Sequence, residues 1–123
     1  MINISLNEII TLVPLLKELI NNSFDSSLSF KIGRLIRELD KGLELFVKSR
    51  NDIFNKYGLR DSQGNFITEN NQIKTSEPEK CNSEIQKLLE TKIEIYAEKI
   101  PISAFDNLKI TPSQAITLDL IIE

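Results

Sequence analysis

Apolar residues at steps of three and four dominate the middle of the chain: Ile32, Ile36, Leu39, Leu43 and Phe46, then Ile53 and Tyr57. Such steps return to one face of a helix at every turn, and their alternation makes a heptad seam that packs on a neighbouring helix. Leu35, Leu45, Val47 and Phe54 widen the stripe beyond a strict coiled coil. The spacing predicts a helix over about 28–57, about 45 Å long at 1.5 Å per residue. Gly58 follows it as a candidate left-handed C-cap. A rod of that length in a 123-residue chain needs cover. The preceding helix is too short to supply all of it, so another helix or a second subunit is required.

That preceding helix is announced by Ser5-Leu6-Asn7-Glu8, a capping-box pattern in which Ser5 and Glu8 satisfy each other's backbone N–H groups. Leu6, Ile9, Ile10, Leu12, Val13, Leu16, Leu19 and Ile20 then predict a helix over about 6–21. Pro14 lies inside it and predicts a kink or an early break. Asn21-Asn22-Ser23 ends it.

Beyond Gly58 the pattern changes. Asp61-Ser62-Gln63-Gly64 is a turn signal, Asn65–Thr68 a short strand, and Glu69-Asn70-Asn71 a second turn leading into Gln72-Ile73-Lys74. The stretch reads as a small β-hairpin or a projecting loop. It lacks the alternating acidic ligands and closing glutamate of a calcium loop. A third helix begins near Ser76–Glu79, with Pro78 in its first turn and Cys81, Ile85, Leu88 and Leu89 on its apolar face. Ile93, Ile95 and Ala97 alternate with polar residues, as in a strand with one buried face, and Pro101 stops it. Thr111-Pro112-Ser113-Gln114 is a second capping signature, opening a short helix that uses Ala115, Ile116, Leu118 and Ile122.

The expected class is therefore α+β, mainly α. Long antiparallel helices carry a small β-hairpin or strand element and a short C-terminal helix. One domain is expected: a helical body over about 5–58, a hairpin or loop over about 59–75, and a helix–strand–helix tail over about 76–123.

Composition narrows the function. The net charge is -3, and basic residues are interleaved with acidic ones. Lys31, Arg34 and Arg37 are followed at once by Glu38 and Asp40, a solvated helix face and not a nucleic-acid footprint. Direct nucleic-acid binding is not expected. No stretch is long and apolar enough to span a bilayer, and the N-terminus lacks a signal-peptide pattern, so an intracellular protein is expected.

Histidine is absent, which removes the Ser/His/Asp and Cys/His arrangements. The four glycines, Gly33, Gly42, Gly58 and Gly64, form no phosphate loop. Cys81 stands alone, so there is no intramolecular disulfide and no ordinary zinc set; it reads as a small, partly buried hydrophobe. Glu94 and Glu98 are the one pair suggesting two-carboxylate chemistry. On a strand they would lie roughly 13 Å apart, too far for a glycosidase pair. No catalytic residues, metal or cofactor are expected, and the chain is expected not to be an enzyme.

The candidate residues are for partner binding. Arg50 fills the gap in the seam between Phe46 and Ile53. It is either a structural guanidinium paired to a carboxylate or capping carbonyls, or an anchor in a protein interface, where arginine is enriched. Phe54 and Tyr57 lie on the same helix. Phe66 and Ile67 fall in the hairpin, either folded onto the core or presented at an apolar tip.

Three stretches carry a resemblance: Phe30-Lys31-Ile32-Gly33-Arg34-Leu35; Arg50 with Lys56-Tyr57-Gly58 and Asp61-Ser62-Gln63-Gly64-Asn65; and Leu108-Lys109-Ile110-Thr111-Pro112. The chain resembles a family of small proteins encoded by phages and prophages of low-GC bacteria. The resemblance implies a phage origin and a helical body with a small β element, and brings no catalytic residues. On that footing the expected function is a protein-binding protein that inhibits a host enzyme or defence complex in the cytoplasm of the infected bacterium. The alternative is a head or tail accessory protein or assembly chaperone, located in the virion, for which a homo-oligomer is expected.

Overall fold

The computed structural model describes residues 1–19, 21 and 24–123. The chain is mainly helical, with two small antiparallel sheets. Strand β1 (Ile2–Ser5) leads into α1 (Leu6–Leu19), followed by the long α2 (Ser26–Tyr57). Strands β2 (Thr68–Glu69) and β3 (Gln72–Ile73) form a hairpin before α3 (Pro78–Glu90) and β4 (Lys92–Ile95). Helix α4 (Pro112–Leu118) lies between two 3-10 turns, Ile102–Phe105 and Asp119–Ile121. Among the described residues no helix is long and apolar enough to cross a membrane.

The first sheet pairs the two ends of the helical body. β1 runs antiparallel to β4 with Ile2 opposite Ile95 and Ile4 opposite Ile93. The Leu6 N–H continues the ladder by donating to the Thr91 carbonyl at 2.9 Å. Ile2, Ile4 and Ile95 are buried. The alternation at 93–97 is confirmed as a strand, shorter than expected. Its partner β1 was not anticipated, although Ile2-Asn3-Ile4-Ser5 has the same alternation.

Helix α1 begins at the expected capping box. Ser5 N–H donates to Glu8 Oε1 at 3.0 Å, and Glu8 N–H donates to Ser5 Oγ at 3.1 Å. The early break at Pro14 does not occur: the helix continues to Leu19. Pro14 is exposed, while Leu12, Val13, Leu16 and Leu19 on either side are buried. Burial of an apolar side chain contributes about 1.5–3 kcal/mol, so these residues hold the helix across the missing hydrogen bond. Ile20, Asn22 and Ser23, which bear on the expected helix end, lie outside the described residues.

Helix α2 spans 32 residues, about 48 Å at 1.5 Å per residue. Asp25 caps it by accepting from the Leu28 N–H at 2.9 Å. Its heptad character is confirmed but its buried face is rotated. The buried positions are Ile32, Leu35, Leu39, Gly42 and Phe46, while Ile36, Leu43 and Ile53 flank them half-buried. Gly42 explains the rotation. A Cβ there would stand 2.7 Å from Ile9 Cδ1 and 2.8 Å from Ile93 Cδ1, so the absent side chain makes room for both isoleucines.

Gly58 is not a left-handed cap. Its φ of -67° and ψ of 133° are extended, and its N–H donates to the Phe54 carbonyl at 2.6 Å. Glycine is needed there for space. A Cβ would lie 2.5 Å from both the Phe54 carbonyl oxygen and Phe66 Cε1.

The cover for α2 comes from within the chain. α1, α3 and β4 all contact it. One apolar cluster joins Ile4, Leu6, Leu35, Leu39, Ile100 and Ile121 with their neighbours from both ends of the sequence. The tail closes over it: Ile100 N–H donates to the Ile121 carbonyl at 2.8 Å, and Phe105, Leu118 and Ile121 are buried. The expected capping box at Thr111 and Gln114 is present. Of the apolar positions expected here, Leu118 is buried and Ile122 half-buried, whereas Ala115 is exposed and Ile116 is 76% exposed.

Candidate partner-binding groove

The main core ends near Phe46, but α2 continues for three more turns to Tyr57. Helix α3 packs along that overhang, and the hairpin is fastened at its end. Each attachment has a local cause. Asp61 Oδ1 accepts from the N–H groups of Gln63 and Asn65 at 2.9 and 3.0 Å, and Gly64 turns with φ 83°. Asn70 and Asn71 have φ 53° and 65°, the two left-handed residues that close a tight two-residue hairpin. Leu59 N–H donates to the Lys74 carbonyl, and Ser76 N–H to the Tyr57 carbonyl, tying the hairpin to the helix end.

Between these elements lies an open groove of about 880 Å³. α2 contributes Arg50, Asn51 and Phe54. The hairpin contributes residues 69–75, and α3 contributes Pro78, Cys81, Asn82 and Ile85. The volume falls in the range of small-ligand and peptide-side-chain sites, and the mixture of apolar groups with a few polar ones is what such sites use.

Arg50 is half-buried. Its guanidinium carbon lies 5.7 Å from the Phe46 ring centroid, the outer edge of cation–π range. The structural role expected for it, pairing to a carboxylate or to capping carbonyls, is not found. Among the described residues its side chain makes no ion pair and no hydrogen bond.

The other candidate residues divide. Phe54 lines the groove with Arg50, one helical turn further on. Tyr57 is buried at the base of the hairpin and does not line the groove. Phe66 is half-buried against Gly58, with the Arg60 guanidinium 3.9 Å above its ring centroid. Arg60 also donates to the Gly64 carbonyl at 2.6 Å and to Asn55 Oδ1 at 2.7 Å, bracing the loop. Ile67 is exposed, but its N–H is committed to the Leu59 carbonyl. Neither Phe66 nor Ile67 forms the hairpin tip, which is Asn70-Asn71. Ile73, Cys81, Asn82 and Ile85 also line the groove; of these, the helical apolar pattern points to Cys81 and Ile85, on the apolar face of α3.

Cys81 is 3% exposed. Burial, aided by the Glu84 carboxylate, pushes its thiol above the usual range, so it is protonated at neutral pH and poorly suited to act as a nucleophile. Beside the groove, Glu84 Oε1 accepts from Lys56 Nζ at 3.4 Å, bridging α3 to α2. The Tyr57 hydroxyl, then Lys56, hold the Glu84 carboxyl below its ordinary range. Glu84 Oε2 is enclosed and outside strict hydrogen-bond geometry with any donor. Glu94 and Glu98 do not form a pair on one strand: β4 stops at Ile95, and Glu98 bridges to Lys31 at 3.2 Å. Among the described residues no three potential metal ligands cluster.

No protein-family model, no curated protein and no solved structure matches the chain.

Proposed function

We propose that this chain is a non-enzymatic protein-binding domain that takes a segment of its partner into the groove between α2, the hairpin and α3. One observation carries the reading: a half-buried arginine, whose side chain makes no ion pair or hydrogen bond among the described residues, lines an open groove beside Phe54, Ile73 and Ile85. A bound segment that accepts from the guanidinium makes charge-assisted hydrogen bonds with it, while the apolar neighbours supply hydrophobic contact. Arginine flanked by apolar groups is a common composition for a binding hot spot.

On the resemblance to phage-encoded proteins, the partner is proposed to be a host enzyme or defence complex, bound and blocked in the cytoplasm of the infected bacterium. The second reading is a phage head or tail accessory protein, or assembly chaperone, acting as a homo-oligomer. The observation in its favour is the outward display of Phe30, Tyr96, Ile102 and Ile116, each 68–76% exposed. The need for a second subunit to cover α2 no longer supports it.

The test is capture from a lysate of the bacterial host, with wild type and Arg50→Ala immobilised side by side. A protein retained by wild type and lost from the variant, with unchanged circular dichroism, is the expected result. Equal capture by both would remove Arg50 and the groove from the interaction.

A further inference from the structure

We infer that the groove is built for a carboxylate-bearing peptide segment, held by Arg50; the inference rests on the groove being the binding site. The argument is one of charge. The whole chain carries -3, yet the charged residues lining this groove are Arg50, Lys74 and Glu69, two cations to one anion. Among the described residues neither cation is ion-paired. A second groove, on another face of α2, shows the contrast. It is lined by Lys17 and Lys48 against Asp40, Glu44 and Asp52, and its Lys17 is already paired to Asp40 at 3.3 Å. The second groove thus has more acidic than basic lining residues, whereas the Arg50 groove has more basic than acidic ones.

The chemistry of the occupant follows from the groups available. A guanidinium offers a planar fork of donors that matches a carboxylate in two parallel hydrogen bonds. Asn51 and Asn82 supply amides that both donate and accept, which suits a peptide main chain. Phe54 and Ile85 suit an apolar side chain next to the acidic one. Because the chain as a whole is acidic, long-range steering does not favour an acidic partner. The recognition must act at short range, in the bound complex, and so through the dissociation rate.

The experiment uses a random dodecapeptide display library panned against the full-length protein. Enriched peptides are then made synthetically, each with its acid and with the corresponding amide. Wild type is expected to enrich peptides carrying Asp, Glu or a free C-terminal carboxylate beside an apolar residue. Replacing that acid by the amide should weaken binding at least about tenfold, as should Arg50→Gln. The two changes together should cost much less than their sum, because both remove the same contact. Arg50→Lys should fall between wild type and Arg50→Gln, and Lys48→Gln in the second groove should leave binding unchanged. The acid-to-amide exchange decides the matter even if Arg50 variants fail to fold. Peptides that bind equally as acid and amide, yet shift the amide resonances of Phe54 and Ile85, would overturn the carboxylate inference and leave the groove as the binding site. No enriched peptide, or a footprint elsewhere, would overturn both.

Discussion

Two glycines, one within α2 and one at its end, show how one residue type answers different local demands. Gly33 is exposed in α2 and a Cβ there would meet nothing within 4 Å. Gly33→Ala should therefore stabilise the protein by about 1 kcal/mol, the helix-propensity difference between glycine and alanine. At Gly58 the added Cβ would strike a backbone carbonyl and the Phe66 ring, and Gly58→Ala should destabilise by about 1–3 kcal/mol through overpacking. Urea unfolding checks both: the midpoints should move in opposite directions, with unchanged slopes. Sequence alone did not separate these glycines. Gly58 was assigned by its position after a helix, whereas its real constraint comes from Phe66, eight residues later, whose approach depends on the loop between. Arg50 has the same history. Its interruption of the seam was visible in the chain. Its lack of an acidic partner depends on where the hairpin and α3 lie.

At the scale of elements, the caps and periods were legible and the pairings were not. Ser5-Leu6-Asn7-Glu8 and Thr111-Pro112-Ser113-Gln114 both form reciprocal capping boxes, because the donors and acceptors are local. Ser5→Ala should cost about 1 kcal/mol, read from the thermal midpoint. The strand before α1 escaped because its partner, β4, lies about ninety residues away in sequence. A four-residue alternation carries little weight until that partner is known. Pro14 marks the opposite error. Local chemistry argued for a break, and burial of Leu12, Val13, Leu16 and Leu19 overrode it. Since Pro14 itself is exposed, Pro14→Ala should restore the missing helical hydrogen bond and raise stability, by up to about 3 kcal/mol, in the same urea experiment. The α2–α3 bridge should respond to acid. Glu84 is held below its ordinary 4.5 by Tyr57 and Lys56. A carboxyl lowered in the folded state stabilises above its unfolded value, and that contribution disappears as pH falls through the folded value. The stability difference between wild type and Glu84→Gln, measured by urea unfolding, should thus be present near neutral pH and shrink on acidification below the ordinary carboxyl range. A difference independent of pH would place the role of Glu84 in packing.

For the whole molecule, the question raised by the seam was what covers a helix of about 48 Å. The answer joins distant parts of the sequence: α1 and β4 of the first sheet, then α3, pack on it, and the hairpin is tied to its C-terminal end. The cover is continuous at the core and open at the Arg50 groove, between α2, the hairpin and α3. Self-association is then no longer demanded by the buried face of α2. The expected solution mass is 14.1 kDa, one chain, constant over a concentration series in light scattering. A mass that doubles with concentration would have to draw on the outer surface, where Phe30, Tyr96, Ile102 and Ile116 are among the large apolar groups exposed. The two cases separate by mutation. Ile116→Lys and Phe30→Lys should leave a monomer's mass and peptide binding unchanged, because neither side chain lines the groove. If those changes dissociate an oligomer, the accessory-protein reading gains. If the mass is one chain and binding follows Arg50, the surface that matters is the opening left where the fold stops covering its longest helix.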